Sequence, residues 1–372
     1  MNVAIVMPLG EQRGGGEMML LDLLEQGRGQ GINWFVIFLE SGTMVSQVQD
    51  LGIEAHVIES GQLRQVGKWW STVQKIRQFI KDRSIEAIVG WMWKGHLYTG
   101  VAAQLSKIPE VWYQLENPQE LTFLKRLANR LPTKAVITLS KSGQVAQSQL
   151  TPNYPVKLVY PGAGLDRFKP ERLESVETTR QKLGLPTDVP IIGIIGRLQR
   201  WKGMHVLVEA MPKVLEKYSN VQCLIVGGEH HFEPEYQDYV KQRINELNVN
   251  DNISMIGIQK NIPEWMQSMD IIIHASDHEP FGIVVVEAMS MGKPIVASAS
   301  GGPTEIITPG VDGLLSPYGD ADKLASSIIQ YLDDRDYAKK LGLAASHRSN
   351  DFSTSSYAKN FIEVLSNVIN VT

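Results

Sequence analysis

Short apolar runs and longer amphipathic stretches alternate along the chain. The runs at residues 3–7, 191–195 and 271–274 have the length and composition of buried strands. The stretches between such runs repeat apolar residues at helical spacing, as residues 18–24 do. Strands that alternate with helices in this manner predict an α/β fold built from βαβ units with parallel sheets.

The alternation breaks at residues 161–170, where proline, glycine and polar residues replace the periodic pattern. A chain of 372 residues is long for one hydrophobic core, so this segment is expected to join two domains. The predicted strands lie at residues 3–7, 34–39, 54–58, 87–89, 111–115, 135–139, 158–160, 191–195, 221–226, 253–256, 271–274, 295–298 and 313–315. We predict an N-terminal domain over residues 1–165 and a C-terminal domain over residues 166–352.

The stretch from residue 271 to residue 300 combines predicted structure with candidate chemistry. A buried strand at residues 271–274 leads through a polar turn into a helix that we predict from Glu279 to Met291. The β-branched run at residues 284–286 favours a strand locally. The Glu-Ala-Met sequence after it and a Gly-Lys-Pro stop signal favour the helix.

Two carboxylates, those of Glu279 and Glu287, lie eight residues apart across the start of this helix. In a complete helix that separation is about 12 Å, close to the distance between the two sugars that a diphosphate joins. The amide groups of the helix N-terminus lie between them and favour an anion. The stretch therefore predicts a site for a nucleotide diphosphate sugar.

A second group of candidates follows the strand at residues 191–195. Arg197 and Lys202 lie five residues apart in the loop after this strand. A guanidinium provides a planar pair of donors and an ammonium a compact charge, a combination that suits a diphosphate. Two solvated loop cations are the alternative. The glycines beside both residues favour the ligand site, because they allow a close approach.

Glycine-containing loops after other strands provide further candidates for donor binding. Gly15 and Gly16 lie between the first strand and its helix, where a ligand can approach the backbone. Gly227 and Ile258 each follow a predicted strand, and Ile258 is a candidate for backbone contact with a base. Tight turns explain the same glycines equally well. The spacing is not the dinucleotide pattern G-x-G-x-x-G, which disfavours a dehydrogenase.

Composition and charge narrow the class of protein. Hydrophobic residues make up 43% of the chain and charged residues 20%, as in an ordinary globular protein. The net charge of −4 argues against general nucleic-acid binding. The single cysteine, Cys223, excludes an internal disulfide and is consistent with a reducing compartment. No apolar run has membrane-spanning length and the start lacks a signal-peptide pattern, so we expect a cytoplasmic protein.

Two segments of the N-terminal domain combine cations with large apolar residues. Residues 63–83 contain two tryptophans among several Lys and Arg, and residues 121–131 alternate Phe and Leu with Lys and Arg. A solvated basic face, with the tryptophans packed on the sheet, explains the first segment. The alternative is a peripheral contact with an anionic membrane, at the inner face of the plasma membrane, or with an acceptor.

These motifs resemble the retaining glycosyltransferases of family 4, which have the GT-B fold. The resemblance spans nearly the whole chain, and the two glutamates combined with the arginine and lysine loop are its most specific part. It is carried by Gly14-Gly15-Gly16-Glu17, the linker at 161–170, Gly196-Arg197-Leu198 with Lys202-Gly203, and Glu279-Pro280-Phe281-Gly282 with Glu287-Ala288. It implies two Rossmann-like domains that face each other across a cleft, with the donor held mainly by the second. A last helix, at about residues 353–372, would pack on the first domain.

The resemblance also implies roles for individual residues. Arg197 and Lys202 would neutralise the diphosphate leaving group, Glu287 would bind the ribose hydroxyls and Glu279 the transferred hexose. Backbone amides at the start of the helix would contact the sugar and the phosphate, namely those of Phe281, Gly282 and Ile283.

The acceptor side departs from the family pattern. Many members carry a histidine near the acceptor, at the end of the strand that corresponds to residues 111–115, and this chain has Glu116 there. His96 follows the preceding strand, and the ends of parallel strands face the ligand. Glu116 and His96 are therefore the acceptor-side candidates for catalysis, and a structural hydrogen bond is the alternative for His96.

Enzymes of this family are thought to transfer the sugar from the front face without a stable covalent intermediate, so catalysis depends on positioning and leaving-group stabilisation. The leaving group would be stabilised by Arg197, Lys202 and helix N-termini, a role that a metal ion has in other enzymes. We therefore expect neither a metal nor a cofactor. The sequence predicts transfer of a hexose, with glucose expected, from a nucleotide diphosphate sugar, with UDP expected. The acceptor would be a glycan or a lipid-linked molecule in polysaccharide or glycolipid synthesis.

Two alternatives stay open. A nucleotide-sugar epimerase on the same fold would need acidic and histidine groups that converge on the sugar ring, and the sequence does not place them. A non-catalytic nucleotide-sugar-binding protein would be expected to lose part of the charged set, whereas Glu279, Arg197 and Lys202 are all present.

Overall fold

A computed structural model describes residues 1–12, 14–116 and 122–370 of the chain. It divides into two compact units, of which the first comprises Met1–Gly162 and the segment that begins at Thr354. The second comprises Ala163–Ser353. Each unit has a parallel sheet with helices on its faces, so the predicted α/β fold with two Rossmann-like units is confirmed.

The first unit is built on a sheet of seven strands, as far as the described residues show. The strands are β1 (Asn2–Met7), β2 (Asn33–Phe38), β3 (Glu54–Val57), β4 (Ala87–Trp91), β5 (Glu110–Gln114), β6 (Ala135–Thr138) and β7 (Val156–Leu158). The helices are α1 (Gly15–Gln26), α2 (Thr43–Asp50), α3 (Val66–Asp82), α4 (Met92–Ser106), α5 (Phe123–Ala128), α6 (Lys141–Leu150) and the last helix of the chain, α15 (Thr354–Asn370). The strand order β3-β2-β1-β4-β5-β6-β7 reverses direction between β1 and β4.

The last helix belongs to the core of the first unit. Phe361 packs its ring 5.2 Å from that of Tyr113 and 6.2 Å from that of Trp91, and all three side chains are buried. Tyr357 and Leu365 lie in the same cluster. Residues 371 and 372 of the segment expected on this domain lie outside the described residues.

The second unit repeats the same architecture. Its strands are β8 (Ile191–Ile195), β9 (Gln222–Val226), β10 (Ile253–Gly257), β11 (Ile271–His274), β12 (Ile295–Ser298) and β13 (Leu314–Ser316). Its helices are α7 (Val176–Leu183), α8 (Met204–Lys217), α9 (Glu235–Glu246), α10 (Ile262–Ser268), α11 (Ile283–Ser290), α12 (Pro303–Ile306), α13 (Ala321–Asp333) and α14 (Arg335–Ser349). The order β10-β9-β8-β11-β12-β13 places the reversal between β8 and β11. In open parallel sheets ligands bind at the carboxyl ends of the strands that flank such a reversal.

The helix of the 271–300 stretch begins later than predicted. The β-branched run is helical as expected, but α11 starts at Ile283, and residues 279–282 form a loop. Gly282 has a φ of +106°, a conformation that L-residues with a side chain rarely adopt, and it separates the loop from the helix. Glu279 therefore lies on the loop, and only Glu287 lies on the helix.

No helix in the described part of the chain is both long and apolar enough to cross a membrane.

Candidate active site

Lys202 and Glu279 form a buried ion pair in the second unit. Lys202 Nζ lies 2.5 Å from Glu279 Oε2, and the two side chains are only 17% and 12% exposed. The ammonium also lies 4.1 Å from the centroid of the Trp201 ring, a cation–π distance. Lys202 follows β8 and Glu279 follows β11, so the pair lies at the reversal of the strand order. The structure thus brings together the two charges that the sequence placed on separate loops.

Backbone contacts between the two loops hold this pair in place. The Asp277 amide donates a 2.7 Å hydrogen bond to the carbonyl oxygen of Trp201. Gly203, the N-cap residue directly before α8, has a φ of +74° and packs so closely that a Cβ there would lie 2.1 Å from the Ala275 carbonyl oxygen. Glycine is therefore required both by the backbone conformation and by the close approach of the loops.

A histidine that the sequence analysis did not select contacts the same carboxylate. His274 is the last residue of β11, is buried, and places Nε2 3.3 Å from Glu279 Oε2. Burial alone would raise the pKa of Glu279, but the hydrogen bond from His274 and the charge of Lys202 outweigh it and lower the pKa to about 2. The carboxylate is consequently ionised at neutral pH and is a weak base.

The surroundings of His274 define its hydrogen-bonding role. Its Nδ1 is buried and has no hydrogen-bond partner among the described residues. A proton on Nδ1 would therefore be unsatisfied, which favours a proton on Nε2, where Glu279 Oε2 and Ser276 Oγ lie at 3.3 and 3.2 Å. Lys202 and His274 then both donate to Oε2 of Glu279, and the described residues provide no donor to Oε1. This oxygen is left to accept a hydrogen bond from a ligand.

Replacing His274 by alanine is expected to lower kcat/KM for the proposed donor by about 10- to 100-fold, because a hydrogen bond to a charged group is lost. The pKa of Glu279 should rise, which moves the acid limb of the pH dependence of kcat/KM to higher pH. Glutamine places an amide donor near the position of Nε2, so His274→Gln should restore most activity and the original acid limb. The control is His205→Ala, which removes a partly buried histidine elsewhere in the same unit. An unshifted acid limb in His274→Ala would contradict this role.

The start of α11 provides amides for an anion. The Ile283 and Val284 amides have no acceptor among the described residues, as expected for the first turn of a helix. Phe281 is buried and packs its ring 5.6 Å from that of Phe352. The backbone from Phe281 through Gly282 to Ile283 thus lies between Glu279 and the helix, where a phosphate or a sugar is favoured.

Glu287 lies further along α11 and is partly buried. Burial raises its pKa to about 7, and the positive charge of Arg167 opposes the increase only in part. In the described part of the chain, the carboxyl group of Glu287 has no hydrogen-bond or ion-pair partner. It is therefore available to accept hydrogen bonds from ligand hydroxyl groups.

If Glu287 binds the ribose, as the resemblance implies, binding of UDP-glucose is expected to strengthen as the pH rises from 6 to 8, because a carboxylate accepts two hydroxyls only when it is ionised. The diester phosphates of UDP-glucose do not titrate in this range, so the donor's own charge is constant. Calorimetric titration should give a dissociation constant that falls several-fold over the interval. Glu287→Gln should bind more weakly and lose this dependence. An equal dependence in the glutamine variant would assign the titration to another group.

The remaining donor-side candidates of the second unit lie at neighbouring strand ends. Arg197 is exposed and has no ion-pair partner in the described residues. Gly227 packs against the loop of Arg197, since a Cβ at Gly227 would lie 1.8 Å from the Gly196 carbonyl oxygen. Ile258 is 78% exposed after β10 and its side chain covers Gly228. Packing between loops therefore accounts for Gly227, and Ile258 is accessible to a ligand.

Two further donor candidates belong to the first unit. Gly15 begins α1 and has open space where a Cβ would point. A Cβ on Gly16 would lie 2.7 Å from side-chain atoms of Met92 and Leu115, so internal packing explains this glycine. Of the pair, Gly15 is the one with room for a ligand.

His96 is wrong as an acceptor-side candidate. Its side chain is fully buried, with Nδ1 2.9 Å from Glu110 Oε1 and Nε2 3.1 Å from the Ala128 carbonyl oxygen. Its ring stacks at 4.5 Å on that of Trp112. The proximity of His96 to a strand end suggested a ligand contact, but α4 begins directly at Met92 and turns this side chain into the core. Glu116, in contrast, is exposed after β5 and forms a 2.5 Å ion pair with Lys125.

Comparisons with known proteins place glycosyltransferases among the relatives of this chain. Residues 175–348 match the family model of glycosyl transferases group 1. The chain is 30% identical over 213 residues to the D-inositol 3-phosphate glycosyltransferase of Corynebacterium urealyticum, covering 56% of this chain and 50% of that protein. It is 29% identical over 166 residues to the lipopolysaccharide core biosynthesis glycosyltransferase LpsE of Rhizobium meliloti, covering 45% and 46% of the two chains. The chain thus spans about half the length of the curated relatives it matches.

Solved structures match over the full chain. Anabaena HepE in complex with UDP-glucose shares 26% identity and a TM-score of 0.81, over 99% of this chain and 100% of that one. Sucrose-phosphate synthase from Thermosynechococcus elongatus has a TM-score of 0.80 at 20% identity, over 100% of both chains, and shows the fold alone. The protein therefore has the GT-B fold of glycosyltransferases. The likeness to the glycosyl transferases group 1 is carried by residues 175–348, a little under half of the chain.

Proposed function

We propose that the protein transfers glucose from UDP-glucose to a glycan or lipid-linked acceptor in polysaccharide or glycolipid synthesis, with retention of configuration and without a metal. The observation that carries the proposal is the buried Lys202–Glu279 pair at the strand-order reversal of the second unit. The complex of HepE with UDP-glucose supports the choice of nucleotide and hexose. The proposed location is the cytoplasm, with a peripheral contact at the inner face of the plasma membrane. The lone buried thiol of Cys223 is consistent with the reducing compartment.

Each group has a defined role in the proposed transfer. Lys202 and Arg197 neutralise the charge that develops on the diphosphate as the bond to the sugar breaks, and the α11 amides add donors. Glu279 accepts a hydroxyl of the hexose through Oε1 and stabilises the positive charge that develops on the ring. Its low pKa suits a positioning carboxylate better than a general base. Glu287 binds the ribose.

An epimerase is the second candidate, favoured by one observation. The structure brings a histidine and an acid together, with His274 and Glu279 3.3 Å apart, which is the kind of convergence an epimerase needs. The products separate the two functions, since a transferase without acceptor slowly yields UDP and glucose, whereas an epimerase yields an epimer of the sugar.

A thermal-shift screen with UDP-, GDP- and ADP-glucose, followed by donor hydrolysis with the best ligand, tests the proposal. A ligand at 100 times its dissociation constant stabilises by about 2.7 kcal/mol, which a melting curve resolves. We expect the largest shift with UDP-glucose, and the release of UDP and glucose on incubation. Stabilisation by a nicotinamide dinucleotide alone, or formation of an epimer, would overturn the proposed transfer.

A further inference from the structure

An apolar groove lies on the first unit between the first turn of α3, the middle of α4 and the short helix α5. Its volume is about 540 Å³, within the range of small-molecule sites. Apart from Arg64, the residues that line it are apolar: Leu63, Val66, Trp69, Leu97, Val101, Phe123, Leu124, Leu127 and Leu131. Phe123 and Val66 are 80% and 73% exposed, and Leu127 is 42% exposed. Large side chains at such exposure around one cavity indicate an interaction site.

Cations are frequent in the two segments that line this groove, and Arg64 is one of the lining residues. Residues 63–81 contain five Lys or Arg and residues 122–131 contain three, and neither segment contains Asp or Glu. Lys125 is paired with Glu116, whereas Arg64, Lys68, Arg126 and Arg130 have no ion-pair partner in the described residues. An apolar cavity that Arg64 lines, with further unpaired cations on the flanking segments, is complementary to an amphiphile that joins a hydrocarbon chain to an anionic head group. Residue 121, which the basic segment of the sequence analysis includes, lies outside the described residues.

The position of the groove connects it with substrate binding. Helix α4 begins directly after β4, and α5 follows β5 a few residues beyond Glu116. Helix α4 therefore starts from the carboxyl edge of the sheet, where ligands of such folds bind, and Lys125 of α5 pairs with Glu116 just after the end of β5.

We propose that the apolar groove binds the hydrocarbon chain of an anionic lipid, whose phosphate Arg64 and the cations of the flanking segments neutralise. The proposal that a lipid binds depends only on the properties of the groove. That this lipid is the acceptor rests on the proposed function and favours a lipid-linked acceptor over a free glycan.

Cosedimentation of the full chain with vesicles tests this proposal. The wild-type protein should bind vesicles that contain phosphatidylglycerol and should not bind pure phosphatidylcholine. A variant with Val66→Glu and Phe123→Glu should lose binding by about 10-fold or more, because two exposed apolar contacts become charged. Val145→Glu changes a 61% exposed valine on α6, outside the groove, and should bind as the wild type does.

A second readout places the lipid chain in the groove itself. Trp69 lines the cavity, so phosphatidylglycerol with brominated acyl chains should quench its fluorescence. Trp69→Phe should reduce the quenching, whereas Trp265→Phe, which removes a buried tryptophan of the second unit, should not.

Three results would overturn the proposal. The first is that the wild-type protein fails to bind the anionic vesicles, and the second is that Val145→Glu loses as much binding as the groove variant. The third is a dimer of the wild-type protein that the groove variant dissociates, since a second copy would then cover the groove. UDP-glucose hydrolysis by the groove variant should equal that of the wild type. Absent hydrolysis in both, with lipid binding intact, would contradict the proposed function and leave the lipid site standing.

Discussion

Replacing Lys202 by alanine is expected to lower the rate of UDP-glucose turnover by about 10²- to 10³-fold, the range measured when one donor to a developing anion is removed. The ammonium is nearly buried, so water replaces its charge poorly. Loss of its charge also leaves the Glu279 carboxylate with one donor fewer, and the pKa of Glu279 should rise. Turnover measured as UDP release, with the acceptor omitted, provides the readout.

A matched surface cation separates this effect from a general loss of charge. Lys213 lies on α8 in the same unit, is 44% exposed and pairs with Asp322 at 3.0 Å. Such exposed pairs contribute about 0–1 kcal/mol to stability, so Lys213→Ala should retain its activity and its melting temperature. Near-normal turnover in Lys202→Ala would remove this residue from the proposed machinery.

Replacing Glu279 by glutamine is expected to lower turnover by about 10²-fold or more, because the negative charge next to the hexose is lost while the side-chain shape is retained. The double variant with Lys202→Ala should be only slightly worse than either single variant, since the two side chains act as one pair. Additive losses would contradict a shared role.

The stability of the protein should change with pH through the same carboxylate. Its pKa is about 2 in the folded protein, against an ordinary value of 4.5, so ionised Glu279 contributes to stability above about pH 4.5. That contribution is lost as the pH falls from 4.5 toward 2. Wild type and Glu279→Gln should therefore converge in melting temperature at low pH and differ at pH 7.

The elements that carry the site were largely predictable, since parallel strands buried on both faces have continuous apolar sequences. Strands β8, β11 and β12 have the predicted bounds. The sequence also selected Lys202 and Glu279, because cations and carboxylates after buried strands meet at one edge of the sheet. The distance between them depends on the close approach at Gly203, which no local pattern reports.

The two histidines show what the sequence analysis missed and why. His274 ends an otherwise isoleucine strand, and a polar residue at the carboxyl end of a buried strand is a signal that could have identified it. His96 lies a few residues after a strand, but whether its side chain points to the ligand edge or into the core depends on where α4 begins. That boundary is set by packing against Trp112 and Glu110 from another strand.

Calorimetric titration with UDP-glucose, in the presence of EDTA, tests most directly whether the second unit holds the donor through Lys202 and Glu279. One molecule should bind per chain without a metal, at least about 10-fold more weakly in Lys202→Ala and with unchanged affinity in Lys213→Ala. Absence of binding to the wild-type protein, or equal affinity for wild type and Lys202→Ala, would contradict this site.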